Sequence, residues 1–358
     1  MENKPKVIDL FCGIGGFSKG FEMAGFNVVL GIDNWSPALE TFEKNHKATK
    51  ILNEDVCNIT EDFYKKYSSK VEVIIAGPPC QGFSMCGTRD VNDVRNSLFK
   101  EVLRAVKIIA PKVVVIENVV GLMSMKTPEG EYVKDIIINE LEKLGYIVEN
   151  KILNADEYNV PQSRKRVFFI ASKIGRIKFP KRSKEKITVL DALSNIPDTD
   201  KTKYNTPENK FQEHMWDNEK SIYNHDKMNH NEKVLERIKC VPQGGNWKDI
   251  PPEVYDVGGN HSNNYRRLNP NKPSITIKHA TKSMIIHPDY NRVITAREAA
   301  RLQSFPDSFV IMGNRTDQHQ QLANAVPPLL GFAIGNQVLN KLNGKNEKIE
   351  YQTNLKAY

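Results

Sequence analysis

In GPPCQGFS, residues 77–84, a thiol stands directly after two prolines. The prolines stiffen the chain ahead of Cys80, and Gly82 and Gly87 loosen it beyond. A cysteine taken alone is more often an inert small apolar residue than a nucleophile; its surroundings must reverse that order. Two other segments hold what a thiol nucleophile requires. VVVIENV, 113–119, is apolar until it reaches Glu117 and Asn118. An acid there either caps a helix or is a poorly solvated carboxyl whose pKa rises until it can donate a proton. QSRKR, 162–166, sets Arg164 and Arg166 two apart, on one face if extended, where they can orient the acid, hold a phosphate or bind a base.

A fourth segment, DLFCGIGGFSKG, carries Gly13, Gly15 and Gly16 after an apolar run, so its backbone can turn sharply and approach a ligand closely. The dinucleotide fingerprint needs glycine at position 18, which is Ser18. Asp33 closes the next apolar run 33 − 13 = 20 residues after Gly13, where a carboxylate can accept from ribose hydroxyls. Asp55 follows the third run and can accept from an adenine amino group. Each acid alone reads better as a helix cap. Glycine loop and acids together favour a nucleoside cofactor such as S-adenosylmethionine.

These segments need a scaffold. KVIDLF, NVVLGID, KILNEDV, VEVIIAG, PKVVVIENV, IVENKILNA and RVFFIAS read as strands, several apolar enough to be covered on both faces. GFSKGFEMAG, SPALETFEKNH, RNSLFKEVLRAVKIIA and EYVKDIIINELEKLG between them read as helices, with Gly25 and Gly145 as stops. The alternation predicts a doubly wound α/β fold with a mainly parallel, Rossmann-like sheet. Cys80 then lies beyond the carboxyl end of the fourth strand, on the edge where such sheets bind ligands.

After about Phe179 the alternation stops. Region 180–290 is irregular, with one clear amphipathic helix, NEKVLERIKC, before the turn VPQGGN. A helix capped by Thr295 and Glu298 follows, then a terminal helix starting at the prolines of VPPLLGFAIGNQVLN with Leu330, Ile334 and Val338 on one stripe. The expected division is a catalytic and cofactor-binding domain over 1–179, completed by helix 317–343, a smaller target-recognition domain over 180–316, and a tail over 344–358.

Bulk properties narrow the class. Five cysteines, without a C-x-x-C pair, suggest neither a disulfide framework nor a zinc ribbon, and His214, His225 and His230 lack metal-ligand spacing, so no metal is expected. The apolar runs are too short for a signal sequence or a membrane span, giving the expectation of a cytoplasmic chain. Lys and Arg exceed Asp and Glu by 51 − 43 = 8. Between Gln162 and Lys186 stand ten basic residues and one acidic one. Alone, such a run is a solvated face; beside a catalytic motif it becomes a phosphate-facing surface.

In this order, DLFCGIGGFSKGFEMAGF, GPPCQGFS, ENVVGL, PQSRKRVFFI, ITAREAARLQSFPDSF and QLANAVPPLLGFAIG resemble the DNA cytosine-5 methyltransferase family from the first strand to the last helix. The resemblance implies that Cys80 attacks C6 of a cytosine flipped out of double-stranded DNA. Glu117 engages N3 and the exocyclic amine, Arg164 and Arg166 support that carboxyl group and the base carbonyl, and C5 takes a methyl group from S-adenosylmethionine. It implies cofactor contacts from Phe11, Gly13, Ile14, Gly15, Gly16, Asp33, Asn34, Asp55, Val56, Pro78, Leu98, Asn324 and Val326. Asn34 departs from an aromatic or apolar residue usual at its position, and Asp33 from a glutamate. DNA contacts are implied for Gln81, Ser84, Arg89 and Arg95 in a loop, 81–97, that closes over the base, and expected for Lys181, Arg182 and Lys184 in the basic run. By the same analogy the chain is the monomeric, nucleoid-associated methylase of a prokaryotic restriction-modification system, with a restriction endonuclease as functional partner.

The thiol does not by itself separate DNA from RNA as substrate; the extended region after QSRKR favours a duplex. An aromatic residue after Pro-Pro would mark an amino-group methyltransferase, and Cys80 stands there instead. Loss of Cys80 or Glu117 would mark a silent DNA-binding relative, and both are present. Ser18 disfavours a dinucleotide oxidoreductase.

Overall fold

The computed structural model describes residues 4–79, 98–198, 203–216, 221–255 and 264–345. Cys80, Gln81, Ser84, Arg89 and Arg95, all of loop 81–97, and most of the tail lie outside the described residues. Among the described residues every run expected to be a strand is one: β1 (Lys6–Leu10), β2 (Asn27–Asp33), β3 (Lys50–Asn53), β4 (Val73–Ala76), β5 (Val113–Val119), β6 (Ile147–Asn154) and β7 (Lys165–Ser172). They form one sheet in the order β3-β2-β1-β4-β5-β7-β6.

The first five are mutually parallel, and β7 runs antiparallel to both β5 and β6. The exception has a simple cause. Only residues 155–164 join β6 to β7, with one short 3-10 turn, whereas a parallel crossover needs a dozen or more residues. The chain therefore doubles back, and the beginning of β7 arrives at the edge where the parallel strands end.

The helices are α1 (Gly16–Met23), α2 (Ser36–Asn45), α3 (Glu61–Lys65), α4 (Phe99–Ile109), α5 (Val133–Lys143), α6 (Val189–Leu193), α7 (Lys210–Trp216), α8 (Glu232–Cys240), α9 (Ala296–Leu302), α10 (Arg315–Asn324) and α11 (Pro328–Leu342). Alternate side chains of each central strand enter opposite cores. Val73, Ile75, Val113 and Val115 pack with α1, α2 and α11; Ile74, Ala76, Val114 and Ile116 pack with α3, α4 and α5. The sheet is thus wound on both faces. At the outer edge, β6 leaves Ile147 and Ile152 exposed, so the reading of doubly covered strands does not extend to it.

The terminal helix docks as its apolar stripe requires, with Leu330, Ile334 and Val338 fully buried. It lies so close to α1 that a Cβ on Gly20 would stand 2.5 Å from the Pro328 carbonyl oxygen. By composition Arg315–Leu342 is apolar enough to cross a membrane, but it is two helices with 67% of its most apolar window buried in the protein. The expectation that every apolar run is short overlooks this stretch, whose apolar residues serve a core.

Among the described residues of region 180–316, only the surroundings of α8 have a core of their own, made of Ile238, Val241, Ile250, Tyr265 and Ile286. Val189, Phe211, Met215, Leu268, Ile277 and Ile294 join the core beneath the sheet. The α9 capping box forms between Thr295 and Glu298. Helices α6 and α7, of five and seven residues, are too short to show an apolar period in the sequence.

Candidate active site

Strand polarity brings the chemistry together. Gly13 to Gly16 follow β1, Asp33 ends β2, Asp55 follows β3, Gly77 to Pro79 follow β4 and Glu117 lies near the end of β5, all on one edge of the sheet. Because β7 is antiparallel, Arg166 joins the same edge, paired across the ladder with Val119. Val119 and Glu117 are two apart and share a face, which makes Glu117 and Arg166 diagonal neighbours. Arg166 Nε stands 3.0 Å from Glu117 Oε1.

Glu117 is 8% exposed. Burial raises the pKa of its carboxyl, and the guanidinium groups of Arg166 and Arg164 pull it back down. Its Oε2 lies 3.6 Å from where a Cβ on Gly77 would be, three residues before Cys80. Asn118 Nδ2 donates to the Pro78 carbonyl at 3.0 Å, tying the proline segment to the end of β5. The acid and the segment carrying the thiol are therefore held side by side. The sequence pattern gives no sign of the Asn118 bond.

Arg164 and Arg166 start from neighbouring positions and go to different partners. Arg164 is 2% exposed, and its Nη2 donates at 2.9 Å to the Ala323 carbonyl, one residue before Asn324. Its contact fastens the beginning of β7 to the segment that leads into α11. Periodicity places the two arginines on one face, but Ala323 is distant in sequence and cannot be found that way.

The glycine loop is shaped for close packing. Gly15 has φ +84°, and a Cβ there would strike His46 and Phe42. A Cβ on Gly16 would stand 2.2 Å from the Val326 carbonyl oxygen. Only glycine lets the segment around Val326 close over the start of α1. Asp33 Oδ2 accepts from the Gly13 N–H at 2.8 Å, and its Oδ1 from the Trp35 N–H at 2.9 Å. Asp55 Oδ1 accepts from the Cys57 N–H. Both acids thus do the local fastening set beside the ligand reading, each carboxylate oxygen having a second lone pair. Phe11, Asp33, Asp55 and Leu98 are partly buried, Ile14 and Val56 buried, Asn34 and Asn324 exposed.

Ser18, which breaks the dinucleotide fingerprint, donates at 2.6 Å to Asp9 Oδ2 inside the protein. Asp9 is 1% exposed, and burial pushes its pKa up to about 8, with the Asp33 charge adding to the rise and Ser18 opposing it. His225 spends both ring nitrogens on Thr295 Oγ1 and the Pro197 carbonyl. His230 Nε2 accepts from the Val293 N–H. In the basic run Lys181, Arg182 and Lys184 are exposed, and Arg182 pairs with Glu157 at 3.1 Å.

Comparison with known proteins gives the family. Residues 5–340 match the family model described as C-5 cytosine-specific DNA methylase. The chain belongs to that family. Among its relatives, the Type II methyltransferase M.DdeI of Desulfomicrobium norvegicum is 39% identical over 382 residues, covering 96% of this chain and 92% of that one. The Type II methyltransferase M1.HphI of Haemophilus parahaemolyticus is 40% identical, covering 94% and 87%. The crystal structure of a prophage-encoded E. coli protein, described as a DNA modification methyltransferase, superposes with TM-score 0.79 at 27% identity, covering 95% of this chain and all of that one. As a C-5 cytosine-specific DNA methylase the chain is an enzyme, a DNA (cytosine-5) methyltransferase. Its mainly parallel sheet is the methyltransferase fold.

Proposed function

We propose that the enzyme methylates C5 of a cytosine flipped out of a specific double-stranded DNA sequence, through a covalent bond between Cys80 and C6. The observation that carries this reading is the pairing of Glu117 with Arg166 at 3.0 Å, with the other carboxyl oxygen over Gly77. Cytosine C5 is a weak nucleophile. Thiolate addition at C6 turns the ring into an enamine whose C5 attacks an electrophile. Protonation at N3 makes C6 more electrophilic, and a carboxyl whose pKa is raised by burial is suited to give that proton. Arg166 holds the carboxyl in place. Loss of the C5 proton then expels the thiolate and restores the ring. Reaching the base costs roughly a few kcal/mol of unstacking and unpairing.

S-adenosylmethionine supplies the electrophilic methyl group. The residues present suit such a group. The turn at Gly16 packs against Val326, carboxylates at the ends of β2 and β3 suit a ribose and an adenine amino group, and no pyrophosphate pattern competes. Phe11, Gly13, Ile14, Gly15, Gly16, Asp33, Asn34, Asp55, Val56, Pro78, Leu98, Asn324 and Val326 would hold it. The names of the relatives, Type II methyltransferases, support a place in a restriction-modification system. Such a role puts the enzyme on DNA in the cytoplasm, acting as a monomer beside a cognate endonuclease.

The test is a duplex carrying 5-fluorocytosine in the target site. Fluorine cannot leave as the C5 proton does, so the wild type is expected to remain covalently attached through denaturing electrophoresis, and Cys80→Ala to release the DNA while still binding S-adenosylhomocysteine. Methylation at full rate by Cys80→Ala would overturn the reading.

A further inference from the structure

Arg104 makes a set of bonds that the chemistry above does not use. It lies in α4, the helix that begins at Phe99 just after Leu98 and loop 81–97. Nη1 donates to the Ile59 carbonyl and Nη2 to the Val56 carbonyl, both at 2.9 Å. Nε donates to Glu101 Oε2 at 2.7 Å, so the guanidinium is anchored from its own helix. Its central carbon lies 5.4 Å from the ring centroid of Tyr64, which is fully buried. One planar group thus crosses from α4 to the 3-10 turn Val56–Asn58 after β3.

Two carbonyls received by a rigid fork fix a turn in position and orientation; a lysine, with one compact ammonium group on a flexible stem, cannot reproduce that. Within the turn, the bond from the Ile59 N–H to the Val56 carbonyl is long, at 3.3 Å. The charged donor is therefore the stronger restraint on that carbonyl. Asp55 is joined to the same turn through its bond to the Cys57 N–H.

We propose that Arg104 is a positioning residue for the adenine side of the cofactor site, holding the Asp55–Val56 turn in register with the helix that starts after Leu98. The inference rests on the reading that Asp55 and Val56 face the adenine of S-adenosylmethionine. It makes one side chain responsible for two cofactor-facing segments that are 98 − 56 = 42 residues apart. It also makes recognition of the adenine edge, rather than the methyl-transfer step, the property that Arg104 controls.

The experiment is calorimetric binding of S-adenosylhomocysteine and of its 6-oxo analogue, S-inosylhomocysteine, to the full-length wild type, Arg104→Ala and Arg104→Lys, with thermal unfolding recorded for each. The wild type is expected to prefer the amino compound. Arg104→Ala is expected to lose at least about tenfold in affinity for it and much less for the 6-oxo compound, and Arg104→Lys to fall between. An Arg104→Ala protein, or Arg104→Lys should the first fail to fold, that melts earlier yet keeps both the affinity and the preference would overturn the proposal and leave a purely structural role. A wild type that binds neither compound would instead overturn the cofactor reading, and this inference with it.

Discussion

Asp9 shows how a residue can be plain in sequence and unreadable in role. It sits within an apolar strand, and only the fold reveals Ser18 as its partner. With a pKa of about 8 in the folded protein against 3.8 in the unfolded chain, the native state binds the proton more tightly. Asp9 therefore favours folding most below pH 4, and that contribution drains away as pH rises towards 8. Asp9→Asn keeps an oxygen to accept from Ser18 and removes the titration. The unfolding free energy of Asp9→Asn minus that of the wild type is expected to grow from pH 4 to pH 8 and level off above, with a slope of at most about 1.4 kcal/mol per pH unit. A difference constant across that range in denaturant titrations would show that Asp9 does not titrate there. Glu117 is the opposite case, since an acid closing an apolar run already reads as either a helix cap or a proton donor, and the fold adds Arg166 beside it. Arg166 lowers its pKa, so Arg166→Gln should raise it and keep the proton on to higher pH. The expected outcome is a kcat reduced by about 100-fold or more, with the alkaline limb of the remaining activity moved to higher pH. An unmoved limb would assign that limb to another group.

Among the elements, the contact between α1 and α11 decides whether the amino-terminal glycine loop and the carboxyl-terminal Val326 form one site. A Cβ on Gly20 would fall 2.5 Å from the Pro328 carbonyl and 2.6 Å from the Phe332 nitrogen. Both are backbone atoms, which cannot rotate away, so Gly20→Ala must push the helices apart. The expected cost is about 1–3 kcal/mol in denaturant unfolding, the range for overpacking. Weaker S-adenosylhomocysteine binding should accompany it, because Val326 moves with α11. Unchanged stability would mean that the helices have slack. The central strands β4 and β5 can be read from the sequence because strands covered on both faces are continuous apolar runs, a signal that β3 and the edge strand β6 carry less fully. The reversal of β7 is harder to see, because direction depends on the length of a connection whose ends must first be placed. α11 announces itself through its prolines and stripe, whereas α6 and α7 have too few turns to declare a period. The partner of Arg164 is hidden for a further reason: a side chain bonded to a backbone carbonyl leaves no residue-type signature at the other end.

For the whole molecule, an excess of eight basic residues predicts attraction to a polyanion but not its location. The fold brings the densest basic run to one edge of the sheet, and we propose that run as the location. β7 ends at the edge opposite the site, where the Lys173 N–H donates to the Lys112 carbonyl ahead of β5. The chain then returns, and the Ser183 N–H donates to the carbonyl of Glu157 in the turn after β6. Lys181, Arg182 and Lys184 are thereby carried back to the edge that holds Glu117 and Arg166. Arg182 pairs with Glu157 there, but a surface pair whose arginine is exposed is worth about 0–1 kcal/mol and yields readily to a phosphate. Changing the three to glutamine should weaken duplex binding uniformly across sequences and flatten the plot of log K against log salt by up to about 0.9 for each phosphate no longer neutralised. Catalysis on saturating DNA should survive, because none of the three touches Glu117 or the glycine loop among the described residues. A salt slope equal to that of the wild type would return the run to an ordinary solvated face, and the phosphate-binding surface would then have to be sought elsewhere along the same edge.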